Sequence, residues 1–207
     1  MKRYYHFKAA NPMLSKYVRD TFIAHKLSEL SECSAPELKE EPNWLNAFIL
    51  KSIVVFDIPA KNRAYLLNFL RRAEAANTAY REARTQLSLY LSTPQNVISP
   101  YFKALTQFEV CIAWCYQGYE LIARASGSQL YRQGHGSRYE KLQIVYVDSK
   151  HMDFMISGDK LPSDSTSGLW IINSGLESSR GCLTFEDLHC LLCEMKDLAE
   201  KIVQNDG

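Results

Sequence analysis

Few residue types in this chain are spaced for chemistry, and His151 is the best placed of them. It falls on one line with Ile144, Val147 and Met155 at about 100° per residue, so burial of at least part of its ring is expected. A buried imidazole needs a hydrogen-bond partner. Glu140, roughly three turns earlier, is too far along the helix to serve. Glu109 is the partner expected, because it occupies the apolar stripe of a neighbouring helix, where a bare carboxylate is costly. With Lys150 or Arg138 at its mouth, the Glu109–His151 pair would make a binding site. The competing reading is a buried polar pair that fixes helix register, and structural pairs of that kind perturb side chains as readily as active sites do.

Metal chemistry is the second candidate. Glu186-x-x-His189 resembles half of a di-iron carboxylate site, with Glu109 as a further ligand type. The second Glu-x-x-His that such a site requires is absent, and His189 lies off the Leu188–Leu191–Met195 stripe. His189, Cys190 and Cys193 are ligand types for zinc, but one Cys-x-x-Cys without a second pair is a weak signal. A boundary face of ordinary residues is the expectation, with no cofactor implied. Phosphodiester chemistry is the third candidate. Arg19 and His25 resemble the loose Arg-x(4–6)-His signature of HEPN ribonuclease toxins, a resemblance that implies both would act on a scissile phosphate, yet with 24 basic residues and 5 histidines a chance match is expected. No Gly-rich phosphate loop, serine elbow or Cys–His signature occurs. Cys182, in a loop, has no fixed cation beside it to activate a thiolate.

The composition bounds these readings. The chain has 207 residues, 46% hydrophobic and 23% charged, which suits one globular domain with a core of its own. Its net charge of +1 gives no overall footprint for RNA, nucleotides or a membrane surface. Arg71, Arg72, Arg81 and Arg84 are interleaved with Glu74 and Glu82, the pattern of a solvated helix face. No apolar run is long enough to span a bilayer, no signal peptide is visible, and six cysteines in mostly helical patterns suit a reducing cytoplasm.

The elements that must position these residues read as helices. Asn11-Pro12 opens the first, running to about Leu30. A polar linker, Ser31 to Pro42, leads to Trp44–Ile58, which is ambiguous between strand and helix and is taken as helix. From about Pro59 to Leu91, Leu66, Leu70, Ala73, Asn77, Tyr80, Arg84 and Leu87 recur at steps of three and four. Ser99-Pro100 starts the next helix, which Gly127 closes, so the two should form a long αα-hairpin. Ser137-x-x-Glu140 is a capping box for a helix to about Ile156 that is apolar on most of its circumference, hence central and enclosed. Leu169–Ile172 is a short apolar run between the polar loops Ser157–Gly168 and Asn173–Gly181. Thr184 then caps a last helix with Leu188, Leu191, Leu192, Met195, Leu198, Ala199 and Ile202 on its buried face, and Leu183 is set to staple against Leu188. The fold expected is an all-α antiparallel helical bundle, one domain over 1–207, with 1–58 either in the bundle or a smaller N-terminal cap beside a 59–204 core.

From Ser99 to Ile202 the chain resembles uncharacterised bacterial helical proteins of the HEPN-like type. The residues that carry this are Tyr101-Phe102-x-Ala104-Leu105 with Phe108-Glu109, Tyr146-x-x-x-Lys150-His151, Leu169-Trp170 to Gly175-Leu176, and Phe185-Glu186-x-Leu188. The resemblance implies an all-helical bundle that often dimerises. Some members cleave RNA without a metal; others only bind nucleotides, RNA or partner proteins. This chain has no Arg-x(4–6)-His in the helix where the ribonucleases keep it, since Arg138 and His151 are too far apart. The function expected is therefore a non-catalytic binding or regulatory role, in a homodimer formed through the hairpin; a metal-independent ribonuclease is the alternative and a metal-binding bundle the second.

Overall fold

The two clearest amphipathic stripes become the two longest helices. In the computed structural model, which describes residues 16–38, 42–54, 60–93, 97–158, 161 and 166–204, these are α3 (Ala60–Ser92) and α4 (Ser99–Ser126). Before them come α1 (Lys16–Phe22) and α2 (Trp44–Val54). After them come α5 (Arg138–Lys150), α6 (Met152–Ser157), strands β1 (Leu169–Ile172), β2 (Gly175–Ser178) and β3 (Cys182–Thr184), and α7 (Phe185–Gln204). The start signals Asn11-Pro12 lie outside the described residues.

Helices α3 and α4 lie antiparallel along most of their length. Tyr90 meets Tyr101 at 5.6 Å between ring centroids, Tyr80 meets Phe108 at 6.1 Å, and Arg72 Nε donates to Gln117 Oε1 at 3.2 Å, three contacts in opposite chain order. Small buried residues, Ala73, Ala76, Ala83 and Ala104, let the two backbones approach. At Gly118 a Cβ would sit 2.5 Å from Met195 Cε, the flexible tip of an α7 side chain that packs over this glycine. Burying each large apolar side chain here stabilises the fold by about 1.5–3 kcal/mol.

The fold is predominantly helical but not purely so. β1, β2 and β3 form a three-stranded antiparallel sheet in that order, pairing Ile172 with Gly175 and Glu177 with Cys182. The stretch read as a polar loop from Asn173 to Gly181 thus contains a strand. Its pattern is silent because β2 is four residues long and only Leu176 in it is a large apolar side chain. Its order comes from ladder hydrogen bonds and from neighbours elsewhere in the chain. Gly175 is required by a close approach: a Cβ there would lie 2.7 Å from Thr184 Cα and closer still to the Leu183 carbonyl oxygen.

Three further boundaries differ from expectation. The first helix stops at Phe22 rather than about Leu30, because Asp20 accepts from both the backbone N–H (2.7 Å) and the hydroxyl (2.6 Å) of Ser28 and folds the chain back. Lys26 turns this corner in the left-handed region, φ 56°. Helix α4 starts with Ser99 already inside it, the cap position being Ile98, and Pro100 fills the first turn. The helix expected to continue to Ile156 breaks after Lys150: His151 takes φ −109° and ψ 40°, and α6 restarts beyond it.

The ambiguous segment resolves as helix α2, whose Leu45 N–H donates to Glu74 Oε1 of α3 at 2.7 Å. Ala24, Leu27, Leu30, Ala35 and Phe48 join the same apolar core as α3, α4 and α7. Ser137 and Thr184 cap α5 and α7 as their spacing predicts, accepting from Glu140 N (3.3 Å) and Asp187 N (3.0 Å). No helix among the described residues is long and apolar enough to cross a membrane.

Candidate functional site

The residues singled out in the sequence separate in space. His151 is exposed, not buried. The break after Lys150 is the reason: the line through Ile144, Val147 and Met155 assumes an unbroken helix, and the kink turns His151 to solvent. Ser149 takes the place expected of His151, donating from Oγ to Glu109 Oε1 at 3.0 Å. Burial pushes the Glu109 carboxyl above its usual range, and the Ser149 hydroxyl offsets this in part. Arg138, at the opposite end of α5 from Lys150, pairs with Glu194 of α7 at 2.7 Å. It therefore helps to fasten α5 to α7 instead of joining a common mouth. Glu194 also accepts from the Tyr139 hydroxyl, while Tyr119 of α4 donates to the Leu191 carbonyl at 2.7 Å.

Arg19 and His25 are half-buried in the folded-back N-terminal segment. Arg19 reaches the Tyr90 hydroxyl at the end of α3, while the His25 ring meets Trp170 of β1 edge-on at 4.8 Å. On α7, His189 lies 3.7 Å from Cys193 Sγ, and Cys190 Sγ points to Glu186 Oε1 at 3.9 Å. Among the described residues no three His, Cys, Asp or Glu side chains group so as to hold a metal.

What the fold does assemble is a groove along the seam of α3, α4 and α5. One section, of ≈ 490 Å³, is lined by Tyr65 and Arg72 of α3, Tyr116, Gln117, Glu120 and Arg124 of α4, and Tyr146, Val147, Lys150 and His151. A second section, of ≈ 560 Å³, shares Tyr116, Glu120 and Arg124 and continues to Tyr131 and Gln143 under the loop 127–137. Lys150 and His151 are the two sequence candidates that reach it.

The groove is built by ordinary local rules. Tyr116 and Tyr146 come from facing turns of antiparallel helices and stack at 4.6 Å with an interplanar angle of 21°. Lys150, one turn beyond Tyr146, holds its ammonium 5.8 Å above that ring. Arg72 is fixed by Gln117 Oε1 and by the Asn68 carbonyl at 3.3 Å, and lies 5.6 Å over Trp114. Arg124 is 3.5 Å from Glu120 and largely in water. The overhanging loop is positioned by Gly127, whose φ of 65° ends α4, and by Glu140. Glu140 does not close the capping box on Ser137; its carboxylate accepts from Gly134 N (2.5 Å) and Gly136 N (2.7 Å). Those two bonds hold its pKa below the usual carboxylate range.

Chemically the groove presents donors. Arg72, Arg124 and Lys150 face one carboxylate, Glu120, so the local charge is positive although the chain is near neutral. Burial raises the Tyr116 and Tyr131 hydroxyls above their ordinary pKa, with Glu120 adding to both, and each O–H is already committed, that of Tyr131 to Gln143 Oε1 and that of Tyr116 to Glu120. Sequence reasoning missed this set because Tyr116 reads as stripe and Arg72 as solvated face. The visible signal was Tyr146-x-x-x-Lys150, an aromatic ring and a cation on one face at i, i+4. Compared with known proteins, the chain matches no protein-family model, no curated sequence and no solved structure.

Proposed function

We propose that this chain is a non-catalytic helical-bundle protein with a binding or regulatory role, on the nucleotide-binding rather than the RNA-cleaving side of the HEPN-like type, and that its ligand is a phosphate-bearing molecule with a planar ring. The single observation that supports this is the groove's donor set: three cations around a stacked aromatic pair. Phosphate oxygens accept from guanidinium and ammonium donors, and a flat ring gains from an aromatic wall. Six free thiols, two of them sealed in α4, fit a cytoplasmic setting.

Isothermal titration with ADP, adenosine and inorganic phosphate tests this reading. ADP is expected to bind with Kd on the order of 10–100 μM, and each half of it far more weakly. Equal affinity for adenosine and ADP would remove the phosphate from the proposal. RNA turnover by the wild-type chain that disappears in His151→Ala would overturn the non-catalytic assignment.

A further inference from the structure

Among the described residues that line the groove, Glu120 is the single carboxylate, and a phosphate site has no use for it. It borders both sections, and its side chain is 35% exposed, so a ligand can reach it. A bound phosphate would be repelled by it. Its ion pair with Arg124 does not explain it either, because 3.5 Å between two groups open to water contributes little. A carboxylate kept among cations calls for a ligand that brings N–H donors as well as phosphate oxygens.

The two sections divide that work. Arg72, Lys150 and His151 line only the section between α3, α4 and α5, which suits the phosphate. The section under the loop 127–137 takes its polar lining from neutral groups such as Gln129, Gln133 and Gln143, which suits the ring. Glu120 stands on the boundary, and the Tyr116 hydroxyl ties that boundary together. This hydroxyl donates to Glu120 and accepts from the Gln143 amide. Gln143 Oε1 in turn accepts from the Tyr131 hydroxyl, which fixes the way the amide points. An acceptor and a donor thus flank one phenol oxygen, and neither is used up. A carboxylate has about four lone-pair sites, and the amide keeps a second N–H.

We infer that the ring is guanine and that Glu120 selects it, accepting from N1–H and N2–H of the base while the Gln143 amide donates to O6. The ligand is then a guanosine nucleotide, with its phosphates among Arg72, Arg124 and Lys150. Guanine carries those two donors side by side with the O6 acceptor next to them, and hydrogen bonds to a carboxylate are the strong kind. Adenine offers a bare N1 lone pair at the same place, which the carboxylate repels. This inference rests on the nucleotide reading of the groove and adds the base to it.

Titration of the full chain with GDP, IDP and ADP tests the assignment. GDP is expected to bind about tenfold more tightly than ADP, with IDP, which lacks the N2 amino group, between them. Glu120→Gln exchanges one acceptor for a donor, so the ratio of the two dissociation constants should fall to about 1. A glutamate that only positions Arg124 and Tyr116 would shift both nucleotides alike and leave the ratio unchanged. The comparison with IDP uses the wild-type chain, so it decides the matter even if Glu120→Gln folds poorly. ADP bound as tightly as GDP overturns the guanine assignment and leaves the phosphate reading standing, whereas binding of neither nucleotide removes both. A preference for GDP that survives in Glu120→Gln overturns the role given to Glu120.

Discussion

Replacing Arg180 with alanine should destabilise the protein far more than a half-exposed arginine normally would. Asp148 on α5 is fully buried at its side chain, and its Oδ1 accepts from Arg180 Nε at 2.6 Å and from Nη2 as well. Its Oδ2 has no partner at all. The arginine is therefore the main compensation for a carboxylate taken out of water, and it pins the β2–β3 turn to the helix. Losing one partner of a fully buried pair costs about 3–5 kcal/mol. The Arg180 side chain is 51% exposed, so water enters more readily once it is removed, and about 3 kcal/mol is the fair expectation. For a chain of this length that lowers the thermal midpoint by about 6–12 °C. Arg180→Lys keeps the charge but not the fork and should fall between. Urea unfolding of Arg180→Ala, Asp148→Asn and the double variant isolates the pair, with a coupling of about 2 kcal/mol expected. A single Arg180→Ala variant within about 0.5 kcal/mol of wild type would refute the reasoning.

Two other consequences can be measured by unfolding. Gly175→Ala drives a methyl group into the β3 backbone, which cannot rotate away as a side chain would, so a loss of more than about 2 kcal/mol and a disturbed sheet are expected; an unchanged urea midpoint contradicts the close approach. The pH dependence separates two carboxylates of opposite sign. Glu140 has a depressed folded pKa, so its stabilisation is complete above the unfolded value near ~4.3 and fades as pH falls through the folded one; Glu140→Gln should flatten that acid limb. Glu109 has a raised folded pKa, so its penalty is present at neutral pH and vanishes in acid, and Glu109→Gln should be more stable than wild type at pH ~7 but not at pH ~3. Unfolding curves that move in parallel with pH for wild type and both variants would contradict both signs.

The long helices were legible because α3 and α4 bury one face each over many turns, and caps such as Ser137, Thr184 and Gly127 act within a few residues of their own position. The sheet was not legible: four-residue strands such as Gly175–Ser178 carry almost no period of their own. The site was read at the wrong address for a related reason. Placing His151 required an unbroken helix, and one residue at φ −109° redirected everything after it. The groove depends on which faces of three helices meet, which no single periodicity encodes. Only Lys150 and His151 of the four residues expected to bind together were in it.

The groove is tested most directly by the dissociation constant for ADP of the Arg124→Glu, Lys150→Glu double variant, set against wild type at one fixed salt concentration. Both side chains are exposed, so folding should be unchanged. Reversing each charge near a bound phosphate costs about 1 kcal/mol, and together they should weaken binding roughly 30-fold. ADP bound equally tightly by both proteins would show that the phosphate does not lie between α4 and α5.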